Sequence, residues 1–287
     1  MLCMTASAAH ACLTVTPIDK SISISDEEAL IIWDPGRHHE DFIRRADFDT
    51  DARDFGFLVP VPSTPTLAEA DNAMFGLLHG YVSPPAQGNR AAGLDRAGTV
   101  DVVRQQEVAG YDASILAATD AASLRGWLRR NRYAVPKGFQ DWVQPYIDKH
   151  WEIVAFKMSR DRNSSKPALV SSRLVRISFD ADKPFYPYSE PNWANAANDP
   201  SNSRKLVVYI LTLGAVDAHI GDDNTAWGVS RFVNSEIGTS THMLDRIAKD
   251  AGLDVSQMPA KPTLTTFVDI SSPRLGWADV WFIPSAP

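Results

Sequence analysis

Short runs of β-branched and aromatic residues, punctuated by Pro, Gly and Asp, dominate the chain. This pattern is typical of strands joined by turns. Within one run, Val175, Ile177 and Phe179 alternate with polar residues, as expected of an antiparallel strand with one exposed face. The predicted strands occupy residues 29–33, 42–48, 55–61, 100–116, 151–158, 169–179, 206–213, 263–270 and 279–283.

Apolar residues at helical spacing predict helices between these strands. Thr66 and Glu69 fit a capping box that would begin a helix ending near Gly80. Asp120 is placed to cap a second helix, and a third would begin at residue 137, where Pro145 should kink or divide it. A fourth helix is predicted from Ser240 to Gly252, because Ser favours the first position and Gly the left-handed conformation after the last turn.

Grouped strands interleaved with grouped helices indicate an α+β fold with mostly antiparallel sheets and several short amphipathic helices packed on them. The length of 287 residues and 44% hydrophobic content suffice for one sizeable core. We therefore expect a single domain over residues 12–287, with a division into two subdomains left open.

Charge and hydropathy exclude two classes of partner. The net charge is -7, and lysine and arginine form no block, so we expect no nucleic-acid partner. The longest apolar run, residues 206–213, is much shorter than the roughly 18 residues of a membrane-spanning helix. It predicts a buried strand, and we expect no membrane span.

Residues 1–11 contain no Lys, Arg, Asp or Glu and end in Ala9-His10-Ala11. Small residues one and three positions before a cut are what signal peptidase accepts. We interpret these residues as the remnant of an export signal whose start codon lies upstream, giving a periplasmic or extracellular protein. A cytoplasmic N-terminal tail is the alternative. Lipid attachment at Cys12 ranks second to simple cleavage, because His10 and Ala9 fit a lipobox poorly.

The sequence offers no explicit catalytic motif and weak candidates for a metal site. It contains no G-x-S-x-G, H-E-x-x-H or EF-hand pattern. His39 in one polar loop, and His219 with Asp222 in another, are the metal candidates, with solvated loops as the commoner interpretation of such clusters. We expect no cofactor.

An aromatic segment over residues 185–193 is the main candidate for recognition. Its prolines limit backbone freedom, and Tyr186, Tyr188 and Trp193 combine apolar rings with polar tips, as recognition surfaces often do. The alternative is a crossover whose rings pack on a sheet. Asp112 and Lys157 are further candidates, because they are charged residues inside predicted strands.

Four short segments together resemble the bacterial family DUF2330. They are Asp41-Phe42-Ile43-Arg44-Arg45-Ala46, residues 54–62, Val108-Ala109-Gly110-Tyr111-Asp112 and residues 183–188. The resemblance implies an exported or surface-associated bacterial protein, and it supplies no activity or catalytic residues.

The functional hypothesis is a non-enzymatic exported domain that binds a protein or an envelope glycan through the aromatic segment. The alternative is a metal-dependent hydrolase that uses His219 and Asp222 with a partner from the loop around His39. A structural envelope protein is a third class.

Overall fold

Three β-sheets and four helices make up the described part of the chain, which gives an α+β fold as predicted. The computed structural model describes residues 13–15, 17, 22–52, 54–80, 104–133, 135, 138–159, 168–191, 205–235, 237, 240–271 and 274–286.

The first half of the chain contains β1 (Leu13–Val15), β2 (Ile22–Asp34), β3 (His39–Thr50), β4 (Asp54–Val61), β5 (Thr66–Glu69), α1 (Ala73–His79), β6 (Arg104–Val108), β7 (Tyr111–Leu116), α2 (Ala121–Arg130) and α3 (Phe139–Asp148). The second half contains β8 (Glu152–Ser159), β9 (Ala168–Ser171), β10 (Val175–Asp180), β11 (Phe185–Tyr186), β12 (Lys205–Thr212), β13 (Val216–Ile220), β14 (Thr225–Ala226), β15 (Ser230–Asn234), α4 (Thr241–Ala251), a 3-10 turn (Val255–Gln257), β16 (Thr263–Asp269) and β17 (Val280–Pro284).

The eight-stranded sheet has the order β15-β16-β12-β2-β3-β10-β5, and β9 also pairs with β3. Its strands pair antiparallel except β12 and β2, which run parallel. The five-stranded sheet has the order β1-β4-β8-β7-β6, and the four-stranded sheet has the order β11-β17-β13-β14. The three sheets are thus mostly antiparallel.

The buried apolar side chains form three clusters, one for each layer of packing between sheets or between a sheet and helices. Alternate residues of a strand point to opposite faces of its sheet. One face of the eight-stranded sheet packs on the other two sheets, with Phe42, Phe57 and Phe282 in the shared cluster. Its second face is covered by α1 and α4, and α2 and α3 cover the outer face of the five-stranded sheet. The result is a layered arrangement with helices outside and sheets inside.

Two of the predicted helix caps are confirmed. The carboxylate of Asp120 accepts a hydrogen bond from the Ser123 N–H at 2.7 Å, and the Ser240 hydroxyl accepts one from the Met243 N–H. Gly252 ends α4 with φ +68°. Helix α3 continues through Pro145, so the expected division does not occur.

Three local expectations are wrong. Thr66 and Glu69 do not begin a helix, since they lie in β5, which pairs with β10. The single strand predicted over residues 169–179 is two strands, β9 and β10. The single strand predicted over residues 100–116 is likewise interrupted, because Ala109 and Gly110, both at positive φ, form the turn between β6 and β7.

Candidate functional site

Strand β15 forms an open edge of the eight-stranded sheet. Among the described strands it pairs with β16 alone, in an antiparallel register that sets Phe232 opposite Thr266. In such a pair, alternate residues of the edge strand direct their N–H and C=O groups away from the neighbour. The edge therefore presents main-chain donors and acceptors that no described strand uses.

Large apolar side chains flank this edge. Phe232 is 49% exposed and Val233 is 48% exposed. As consecutive residues of one strand they point to opposite faces of the sheet. Ile270, directly after β16, is 73% exposed. A strand laid along β15 would thus cover apolar surface on both faces.

The single charged residue of β15, Arg231, is engaged away from the edge. Its Nε donates to the carbonyl oxygen of Val216 at 2.8 Å, and its Nη2 donates to the Ser285 hydroxyl at 2.6 Å. Edge strands are commonly protected from added strands by charged side chains. Because the Arg231 guanidinium is bound to the four-stranded sheet, β15 has no freely extended charge to block an added strand.

The aromatic segment proposed for recognition lies in the core. Tyr186 and Tyr188 have no exposed surface. The Tyr188 hydroxyl donates to Asp269 Oδ2 at 2.6 Å, and its ring centroid lies 5.1 Å from that of Trp227. Trp193 lies outside the described residues. The structure therefore favours the packing interpretation for both tyrosines, and they offer no surface to a partner.

Helix α3 holds the same segment in place. Trp142 Nε1 donates to the Ser189 carbonyl oxygen at 2.9 Å, and the Ser189 N–H donates to Asp279 Oδ1 at 3.0 Å. The Tyr146 hydroxyl also donates to the Asp279 carboxylate. Burial raises the pKa of Asp279 to about 6, although these hydrogen bonds favour its ionised form.

A buried cation lies beside Tyr188. The Arg274 side chain is 1% exposed, and its Nε lies 3.2 Å from Asp269 Oδ2. Its guanidinium also stacks over the Tyr188 ring at 4.4 Å and lies 3.7 Å from Glu190. Burial alone would lower the pKa of Arg274, but the acidic groups around it raise that pKa instead. This network fastens the aromatic segment to the end of β16.

The metal candidates do not converge. His39 on β3 places Nδ1 at 2.7 Å from Asp180 Oδ1, and Asp222 faces Lys149 at 3.9 Å. His219 lies on β13, in the four-stranded sheet. Within the described ranges, no three His, Cys, Asp or Glu side chains are grouped so that they could hold a metal ion. A shared site of His39, His219 and Asp222 is therefore not formed.

Asp112 and Lys157 are brought together. They lie directly opposite each other on β7 and β8. Both line a pocket beneath α2 on the outer face of the five-stranded sheet. Trp127 lines the same pocket and is 6% exposed.

Sequence reasoning missed β15. The apolar pair Phe232 and Val233 is too short to predict a strand. Gly228-Val229-Ser230, directly before it, indicates a turn. The openness of the edge depends on which strands pair, and nothing local in the sequence encodes that.

Comparisons with known proteins give a family and no activity. The family described as "Uncharacterized protein conserved in bacteria (DUF2330)" matches residues 5–232. No curated protein matches the chain. A solved structure titled "Crystal structure of baculovirus P35" is similar at 7% identity and a TM-score of 0.37, covering 77% of this chain and 76% of that chain. A likeness at this level carries no argument about function.

None of the described helices has the length and apolar character needed to span a membrane.

Proposed function

The chain belongs to the DUF2330 family, and we propose that it is a non-enzymatic domain that binds an extended segment of a partner protein along the open edge of β15. The observation that carries this proposal is the combination of a strand edge that no described strand covers with Phe232 and Val233 half exposed on its two faces. Main-chain hydrogen bonds give such complexes their affinity, and side-chain pockets give them specificity.

The chemistry of the edge selects a polypeptide over a glycan. A row of alternating N–H and C=O groups is matched by another strand, whose own groups repeat at the same spacing. Apolar side chains at two consecutive positions of that strand would cover Phe232 on one face and Val233 on the other. A sugar would present hydroxyls without this repeat.

A peptide-display selection against the full chain tests the proposal. Peptides that bind should slow exchange of those amides among residues 230–234 that point away from β16, because new main-chain hydrogen bonds protect them. Phe232→Lys should weaken the same peptides by about tenfold or more, since burying a Phe side chain contributes about 1.5–3 kcal/mol.

Val255→Lys is the matched control, because Val255 is also 49% exposed but lies in the turn after α4. It should leave peptide binding unchanged. The proposal fails if the selected peptides protect amides elsewhere, or if Phe232→Lys and Val255→Lys have equal effects. Binding of envelope glycans that survives Phe232→Lys would point to a different surface.

We also propose that the protein acts outside the cytoplasm. The support is the Ala9-His10-Ala11 pattern before Cys12, which resembles a signal-peptidase site. Mass spectrometry of the protein from its native cells tests this location. A mature N-terminus at Cys12 is expected, and a cytoplasmic protein that retains Met1 would contradict it.

A further inference from the structure

Strand β15 buries none of its residues. Four of its five residues are exposed, and Asn234 is half-buried. A strand of an antiparallel sheet ordinarily buries one face against the core. Strand β6, at the edge of the five-stranded sheet, buries Val108 and carries Arg104 and Glu107, as is common for an edge that stays unpaired. Among the described elements, β15 therefore lacks both the cover and the charges that such an edge normally has.

The residues of β15 are complementary to a second copy of the same strand. When two copies lie antiparallel about a two-fold axis perpendicular to the sheet, each residue faces a residue on the same side of the sheet. The register that pairs all five residues is centred on Phe232, which then faces Phe232 of the second copy. Ser230 faces Asn234 of the second copy, and Arg231 faces Val233. The aromatic pair thus lies at the centre, with polar pairs at both ends on its side of the sheet.

We propose that the strand bound along β15 is β15 of a second copy of this chain, so that two eight-stranded sheets join into one. This inference rests on the proposed function, because it names the partner of the same edge. In the pair, the Cβ atoms of Phe232 and its counterpart lie about 5 Å apart, close enough for the two rings to pack. Each ring is 49% exposed in the single chain, so pairing removes apolar surface from water.

Arg231 favours the centred register over a slipped one. A slip of two residues in one direction sets Arg231 opposite Arg231 of the second copy, and like charges directly opposite each other destabilise a strand pair. In the centred register Arg231 faces Val233 instead, which packs on the apolar stem of the arginine. The guanidinium stays on the four-stranded sheet of its own chain, where Nη2 lies 3.5 Å from Asp217. Its charge is therefore partly balanced within each copy.

Sedimentation of the unaltered full chain tests the dimer. Five residue pairs make a small interface, so the dimer should dissociate on dilution. Over a concentration series from about 1 to 100 µM we expect a reversible equilibrium between monomer and dimer. A chain that stays monomeric throughout this series overturns the proposal.

Variants at Phe232 test the register. Phe232→Lys should raise the Kd of the dimer by about tenfold or more, because it removes both rings and sets two positive charges opposite each other. Phe232→Glu should act in the same way. A mixture of the two variants should dimerise more strongly than either alone, since opposite charges then face each other.

Val255→Lys is the control, because Val255 is equally exposed but lies in the turn after α4. It should leave the Kd unchanged. A dimer that Phe232→Lys and Val255→Lys affect equally uses another surface and overturns the proposal. A mixture of the Phe232 variants that is no more dimeric than either variant alone also overturns it.

Hydrogen exchange gives a test that needs no variant. In the unaltered chain, the amides of residues 230–234 that point away from β16 should exchange more slowly at high protein concentration than at low concentration. If they do not, and displayed peptides still protect them, the edge binds a segment of another protein and the second copy is excluded. Peptides that dissociate the dimer support both proposals. If neither peptides nor a second copy protects these amides, both proposals fail.

Discussion

Glu40 accepts a hydrogen bond from the backbone N–H of Phe185 at 3.0 Å and has no exposed surface. Its other carboxyl oxygen has no hydrogen-bond partner among the described residues. Burial raises the pKa of Glu40 well above its usual value. The Phe185 hydrogen bond lowers that pKa by a smaller amount, and the charge of neighbouring Asp41 raises it by less still. Its position between the sheets thus favours the neutral form of this carboxyl group.

Glu40→Gln should make the protein more stable at alkaline pH. The folded state keeps the Glu40 proton where the unfolded chain releases it, so the free energy of unfolding decreases as pH rises above the unfolded value of about 4.5. The amide mimics the neutral carboxyl and removes that loss, giving a gain of about 1 kcal/mol or more at pH 8. Denaturant unfolding at pH 5 and pH 8 measures it.

Glu69→Gln is the control, because that carboxylate is 61% exposed. It should change stability little at either pH. A Glu40→Gln protein whose stability follows the same pH curve as the unaltered chain would show that Glu40 ionises normally.

Tyr146→Phe should be more destabilising at pH 8 than at pH 4. Asp279, with its pKa of about 6, is ionised at pH 8, and the Tyr146 hydroxyl then donates to a charged acceptor. Losing a bond to a charged group costs about 1.5–3 kcal/mol, and losing one to a neutral group costs about 0.5–1.5 kcal/mol. Unfolding free energies at the two pH values check the difference.

Tyr133→Phe provides the comparison for this prediction. Its hydroxyl is buried but has no hydrogen-bond partner among the described residues, so its removal should cost little at either pH. Equal pH dependence in the two variants would mean that Tyr146 does not stabilise the Asp279 carboxylate.

Arg44→Met should destabilise the fold by about 3–5 kcal/mol, because it removes the cation that faces a buried carboxylate. The Arg44 side chain is 2% exposed, and its Nη2 lies 2.5 Å from Glu27 Oε1. The double variant Glu27→Gln/Arg44→Met should recover most of that loss, since no buried charge is then uncompensated. A double-mutant cycle measures the coupling, and strictly additive effects would refute it.

Gly56→Ala should destabilise by several kcal/mol. A Cβ at Gly56 would come closer to the carbonyl oxygen of Phe156 on β8 than such atoms normally approach, and backbone cannot move aside without disturbing the strand pair. Gly76→Ala, in helix α1 with no heavy atom within 4 Å of the new Cβ, should instead stabilise by about 0.5–1 kcal/mol. Thermal unfolding of both variants gives the test, and a Gly56→Ala protein as stable as the unaltered chain would contradict it.

The sequence predicted local structure best where the signal and its effect lie within one turn. Asp120 caps α2, and Ser240 with Gly252 bounds α4, because each contacts backbone only a few residues away. The capping-box pattern at Thr66 failed for the opposite reason. Pairing with β10, a strand more than a hundred residues later, overrides the local preference there.

By itself, the sequence determined the α+β class and most of the strand positions, because the alternation of apolar and polar residues follows the faces of the sheets. Only the tertiary structure decided the functional features. It buried Tyr186 and Tyr188, set Asp112 against Lys157 and left β15 at an open edge. Each of these outcomes depends on which distant segments pack together, and the free energy of such contacts belongs to the assembled layers and to no single segment.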